Sequence, residues 1–326
     1  MEGNRFGWIA ITAIAPIAWG STYVVTRNLL PADYPLWGGV LRALPAGLLV
    51  LLLARRLPTG SWWWRSLVLG ILNVGGFFVL IYVAGQRLPS GLASTLMSTS
   101  AACMLLFAWL LLHRRPRLAA VVGASVGLVG VGVMLGFDGS GADPVGVAAS
   151  LGAMVSSSIG FVLTVRWGSD IPALTMTSWQ LVGGSLVLVP AALLVEGAPP
   201  ALTLESGLGF AYVTLVATAV AYVAWFAGLR HLSPGVVGIV GLLNPVTGVV
   251  LGVIVAGEGF GFSQAVGLVL VLVGVVLGSL PPRRTPVSSP GSELSSARSP
   301  HSRDRIGRIA SRDGTRRARR APSRMM

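Results

Sequence analysis

Ten apolar stretches, each close to the roughly 20 residues a membrane-spanning helix needs, follow one another along this chain. They lie at 7–26, 36–54, 66–85, 91–112, 118–137, 145–165, 175–195, 207–228, 235–255 and 263–280. At about 1.5 Å per residue a helix of that length covers the ~30 Å hydrocarbon core of a bilayer. The linkers are short and rich in turn residues, among them Pro31-Ala32-Asp33, Pro58-Thr59-Gly60, Asp138-Gly139-Ser140-Gly141, Gly197-Ala198-Pro199-Pro200 and Ser233-Pro234-Gly235, and none leaves room for a soluble domain. Only 11% of the residues are charged, against about 25% in a soluble chain. The pattern predicts an all-α integral membrane protein with ten transmembrane helices. Ala13-Ile14-Ala15 has the look of a signal-peptide cleavage site, but Pro16 would follow the cut and the apolar run continues to Val25, so the first span is expected to be retained.

The charges sort themselves along the chain. All 24 basic residues are arginine; residues 1–280 hold 12 of them with eight acids, and residues 281–326 hold the other 12 with three acids. A cytoplasmic N-terminus puts Arg5, Arg55, Arg56, Arg65, Arg114, Arg115, Arg117, Arg166 and Arg230 on the cytoplasmic side and only Arg27 and Arg87 outside, together with Asp33, Asp138, Asp143, Glu196, Glu205 and Glu258. The excess of arginine in cytoplasmic loops sets orientation, so the chain is expected in the cytoplasmic membrane with both termini inside. Residues 281–326 are rich in Ser, Pro and Arg and poor in apolar side chains, a composition that predicts a disordered cytoplasmic tail. Its expected partner is the anionic headgroups of the bilayer, not nucleic acid; the alternative is a solvated extension that reinforces orientation.

A shift of 144 residues lays Gln86-Arg87-Leu88-Pro89-Ser90-Gly91 on Arg230-His231-Leu232-Ser233-Pro234-Gly235, and Leu128-Val129-Gly130-Val131 on Leu272-Val273-Gly274-Val275. Two five-helix repeats, 1–137 and 145–280, follow, and an odd number of spans per repeat inverts the second relative to the first.

The chain also resembles a known family over residues 7–280: the EamA-type ten-span transporters of the drug/metabolite transporter superfamily. The resemblance rests on Trp19-Gly20-Ser21-Thr22-Tyr23 with Arg27, on Arg42, and on Leu88-Pro89-Ser90-Gly91. In the second half it rests on Leu232-Ser233-Pro234-Gly235, Leu243-Asn244-Pro245 and Gly257-Glu258. It implies a cytoplasmic-membrane carrier of small metabolites, often an exporter, with a central cavity lined by both repeats. One departure stands out: where the family often has an acid after the fourth span, this chain has His113-Arg114-Arg115.

Read from the residues themselves, the candidate binding positions begin with Arg42, a charge inside the second span. Two readings stand open: a fork of donors for a substrate carboxylate or phosphate, or a snorkelling side chain paired with Asp33. Pro45 frees the carbonyl of Leu41 beside it, favouring the first. Asn244-Pro245 interrupts the ninth span near its middle and exposes the carbonyl of Gly241, a cavity feature or a structural kink. Trp19 and Tyr23 share one helix face, as do Thr218, Tyr222 and Trp225. Asn73, Ser98, Trp179 and Gln180 complete the candidates, with Gln180 at the second-half place that Arg42 holds in the first. Packing is the competing reading for each. Gly123 with Gly127, Gly132 with Gly136, Gly248 with Gly252 and Gly274 with Gly278 are read as close-packing positions.

No acid lies well inside a span. The chain is therefore expected either to couple through Glu258 at the outer mouth or to run as a facilitator or exchanger. His113, His231 and His301 and the lone Cys103 have no metal-ligand spacing, and no nucleophile, base and orienting group share a depth. Neither a metal nor a cofactor nor enzymatic activity is expected. The alternative function is a membrane-anchored sensor or scaffold working through its basic tail.

Overall fold

The computed structural model describes residues 2–113, 115–135, 142–168, 170–232 and 234–279. The Asp138–Gly141 linker, Arg114, Ser233 and the 281–326 tail fall outside them. Among the described residues there is no strand, and ten helices are long and apolar enough to cross a membrane: α1 (Phe6–Leu29), α2 (Pro35–Ala54), α3 (Trp62–Arg87), α4 (Ser90–Leu112), α5 (Leu118–Leu135), α6 (Pro144–Trp167), α7 (Ala173–Val195), α8 (Leu204–His231), α9 (Val236–Ile254) and α10 (Phe262–Ser279). α3 starts a turn before its apolar run because Trp62-Trp63-Trp64-Arg65 continues the helix. α8 starts early because Thr203 and Ser206 form a reciprocal cap, which supplies partners for the first free N–H groups.

The packing has a simple order. α2 lies on α7, α4 on α9 and α5 on α10; α1 lies against α8 and α9, and α6 against α3 and α4. Advancing every helix by five places maps this set of neighbours onto itself. Lipid tails give no hydrophobic drive for such contacts, so close approach supplies the attraction. On α5 and α10 the backbones meet through Gly123 against Gly274 and Gly130 against Gly267. Gly248 and Gly252 bring α9 onto α4 at Ser94 and Ser90, whereas Gly132 faces open space.

Four helices are irregular, and they correspond. α3 widens into a π segment at Ile71–Gly75 and α8 into another at Tyr212–Val220. α4 breaks at Thr99, whose N–H turns to Leu96 O at 3.1 Å, and α9 breaks at Leu242, whose N–H turns to Ile239 O at 3.1 Å. Such wide or broken turns free backbone groups for side chains of other helices.

One end of the bundle is acidic. Glu196 accepts from the N–H groups of Leu36 and Trp37 at 2.7 and 2.9 Å, capping α2. Glu258 accepts from Ser90 N at 2.7 Å and Ser90 Oγ at 2.8 Å, capping α4, and lies 3.7 Å from Arg27. Asp143 caps α6 and meets Arg87 at 3.0 Å. The two arginines expected on this side are thus both paired with an acid. Backbone donors and the helix dipole hold a carboxylate at each of these N-termini.

Candidate functional site

Arg42 enters the bundle from α2, about 10 Å below the Glu196-capped end at helical rise, and is only 8% exposed. Its Nε donates to Thr218 Oγ1 at 2.9 Å and its Nη2 reaches Ala217 O at 3.4 Å. Both acceptors lie in the π segment of α8. The guanidinium stands 4.2 Å over the ring of Phe78 on α3. Tyr23 of α1 and Tyr222 of α8 lie within electrostatic reach of it. Among the described residues Arg42 forms no ion pair, with Asp33 or any other acid, and no acceptor takes Nη1. A buried cation held by a hydroxyl, a carbonyl and an aromatic face is left with its charge uncompensated.

The carbonyl that Pro45 frees is not left open. Thr214 of α8 donates to Leu41 O at 3.0 Å, so α2 and α8 are clasped both ways, hydroxyl to carbonyl and guanidinium to carbonyl. Pro45 therefore has a structural explanation of its own and lends no support to a binding role for Arg42.

The aromatic candidates form one wall. Trp19 of α1 meets Tyr222 at 5.8 Å and Trp225 at 5.3 Å between ring centroids. Trp225 in turn packs over Gly241, just before the break in α9. Beyond that break the backbone of Asn244 presses on Gly20 of α1 so closely that a side chain on Gly20 would collide with it. The Oδ1 atom of Asn244 is buried without a hydrogen-bond partner. Trp19, Tyr222 and Trp225 thus form an aromatic wall across α1 and α8 that reaches α9 at Gly241, while Tyr23, one turn from Trp19, packs with Ile81, Leu88 and Leu92.

The remaining candidates are placed elsewhere. Asn73, in the π segment of α3, donates to Gln180 Oε1 at 2.8 Å, and both amides reach Thr164 Oγ1 of α6 at 3.4 Å. This triad answers the Arg42 contacts: a polar side chain from the second helix of one half meets the π segment of the other. Trp179 gives its indole N–H to Arg56 O at 2.7 Å and its ring to Trp62. Trp37 does the same at the opposite end, with Gly197 O at 3.1 Å. Both are anchors of a helix end to a loop. Ser98 donates to Ser94 O at 3.0 Å and lines an apolar groove between α4, α5, α6 and α10. Glu258 is committed to Ser90 and Arg27 as described.

Sequence reasoning missed Phe78, Thr164 and the capping role of Glu196. Phe78 sits in an unbroken apolar run, and Thr164 and Glu196 are distant in sequence from what they touch; none carries a local signal.

Ten membrane-length helices packed crosswise in two sets of five, with a buried arginine between them, define a polytopic membrane protein of transporter type. A family model of EamA-like transporters matches residues 6–136 and again 144–280, and the chain belongs to that family. It is 37% identical over 265 residues to Protein PecM of Dickeya dadantii, spanning 81% of this chain and 89% of that one. It is 27% identical over 270 residues to the uncharacterized inner membrane transporter YedA of Escherichia coli K12, spanning 81% and 88%. It is 26% identical over 291 residues to the uncharacterized transporter YwfM of Bacillus subtilis, spanning 87% and 97%. A solved crystal structure, 20% identical, shares the fold with a TM-score of 0.59 over 84% of this chain and 96% of the other.

Proposed function

We propose that the protein is a secondary exporter of a small amphipathic metabolite bearing an anionic group, working by alternating access between the units 1–137 and 145–280. It lies in the cytoplasmic membrane with both termini inside, and carries its cargo unchanged. The observation that carries the reading is Arg42, a buried arginine with no carboxylate partner and an unused Nη1 donor among the described residues, beside Tyr23 and the wall of Trp19, Tyr222 and Trp225. A carboxylate or phosphate on the cargo supplies the missing counter-charge, bidentate through the guanidinium, and the rings take its apolar body. Asn244 Oδ1, buried and unpartnered, is the second polar anchor, at the helix break. Asn73, Gln180, Trp179 and Ser98 are read as frame.

Three hydrogen bonds to the Glu258 carboxylate from one residue, Ser90, support reading Glu258 as a brace. The coupling mode that fits is facilitated efflux or exchange.

The test is export measured as metabolite appearance in the medium and as flux in proteoliposomes. Arg42→Ala is expected to reduce flux at least tenfold and Arg42→Lys to restore part of it, since a charge-assisted hydrogen bond contributes about 1.5–3 kcal/mol. Unchanged flux for Arg42→Ala in correctly inserted protein rejects the site.

A further inference from the structure

We infer that the groove between α4, α5, α6 and α10 is a binding site for one anionic phospholipid, whose acyl chain fills the groove and whose phosphate meets Arg115 and Arg117. The groove encloses about 400 Å³. It runs from Thr99 and Gly127 to Leu112, Ala120, Val165 and Ser279 at the helix ends, a length of about 20 Å at helical rise along α4 and so somewhat more than half of the ~30 Å hydrocarbon core.

Three observations select hydrocarbon as the occupant. The wall is almost wholly apolar, and its hydroxyls are committed to their own helices: Ser98 to Ser94 O at 3.0 Å, Thr99 to Leu96 O at 2.7 Å and Ser279 to Val275 O at 2.8 Å. A polar cargo would find no free partner there. The rim residues Met104, Phe161 and Val165 are exposed where the bilayer runs, so the groove opens sideways into lipid. A void at that depth forfeits dispersion contacts that a chain would supply.

The mouth selects the headgroup. Leu112 and Ala120, both groove-lining, are joined by the loop that carries Arg115 and Arg117. Both arginines are exposed, and neither is in an ion pair among the described residues. Basic residues at that level attract anionic lipid, each by about 1 kcal/mol, or about fivefold.

The full-length protein, extracted in mild detergent, is titrated with phosphatidylglycerol and phosphatidylcholine of identical chains, and bound lipid is counted by native mass spectrometry. The wild type is expected to hold one phosphatidylglycerol with a preference of at least tenfold. Arg115→Gln with Arg117→Gln is expected to keep a bound lipid and lose the preference. Gly127→Leu is expected to lose the lipid: a Cβ there meets only Thr99, in ordinary contact at 3.9 Å, and Gly127 lines the groove that the rest of the side chain would enter. Should that variant not stay monodisperse, Ala108→Phe fills the groove from α4, nearer its Leu112 end. Lipid binding equal in wild type and filled variants overturns the inference. So does a loss of dimer mass in the filled variants, which gives the groove to a second copy, or a loss of export with lipid unchanged, which gives it to the cargo.

Discussion

Arg42 on α2 and Gln180 on α7 occupy corresponding places in the two halves, and their difference is instructive. Each reaches across to the π segment of the opposite half, Arg42 to Thr218 and Ala217, Gln180 to Asn73. Around Gln180 the amides close on one another and on Thr164, which leaves Asn73 Oδ1 as the one buried atom of the triad without a partner. Around Arg42 nothing closes: a guanidinium offers five donors, and among the described residues only a hydroxyl, a carbonyl and a ring answer it. The frame is shared by both halves while the charge belongs to one. A structural role alone would be met by the neutral solution already present in the second half.

Making the two places alike is the strongest test. Arg42→Gln is expected to lower flux about 10–100-fold, the loss of 1.5–3 kcal/mol of charge-assisted binding. Thermal stability in detergent should stay level or rise, because an uncompensated buried charge is removed. A large fall in melting temperature with intact flux would reverse the assignment and make Arg42 the frame.

The opposite half is tested through Gly160, over which the Asn73 amide lies so closely that any Cβ collides with it. Gly160→Ala should break the Asn73–Gln180 bond and lower stability by about 1–3 kcal/mol, the usual cost of overpacking, read as a lower melting temperature. Flux should fall far less than for Arg42→Gln. An equal loss would mean that both halves bind cargo.

What was legible in the sequence divides along the same line. The ten helices were, since lipid demands a long apolar run from each, and Arg42 stood out because charge inside such a run is rare. Its surroundings did not. Thr218 is 176 residues away and one hydroxyl among many, Phe78 is hidden in an apolar stretch, and a π segment such as Ile71–Gly75 has no composition of its own. The break in α9 was announced by Pro245; its counterpart at Thr99 has no proline and was silent. Asn73 and Gln180 were both singled out, but as separate polar groups, because pairing between helices lies outside any local pattern. Glu258 was noticed for its charge, yet its role at the Ser90 N-terminus depends on a contact across 168 residues.

That contact gives a smaller effect. Glu258→Gln and Glu196→Gln each weaken the cap of one helix, α4 and α2, and each is expected to cost about 1 kcal/mol. The loss should be larger at Glu258, which also faces Arg27. Neither should change the response of flux to an imposed proton gradient. A gradient response that vanishes only in Glu258→Gln would separate the two caps and restore Glu258 as a coupling acid.

The smallest effect lies at Asp143, whose partner Arg87 differs from its repeat counterpart as Arg42 differs from Gln180. Arg87 has an acid at 3.0 Å, while His231, laid on it by the 144-residue shift, stacks on Trp8 and forms no ion pair among the described residues. The backbone N–H of Gly146, then Arg87 and the N–H of Val145, hold the Asp143 carboxyl below its usual range. A carboxyl lowered in the folded state stabilises it at pH values above the ordinary range near 3.8 and loses that contribution as pH falls through the lowered value. The Asp143 side chain is 32% exposed and that of Arg87 50%, so solvent and salt keep the effect slight. Asp143→Asn should melt slightly below the wild type at pH 7, and the gap should narrow as pH falls below about 4. A gap that stays constant down to pH 3 would assign the cap to hydrogen bonding alone, and Arg87 would then stand without a stabilising counter-charge.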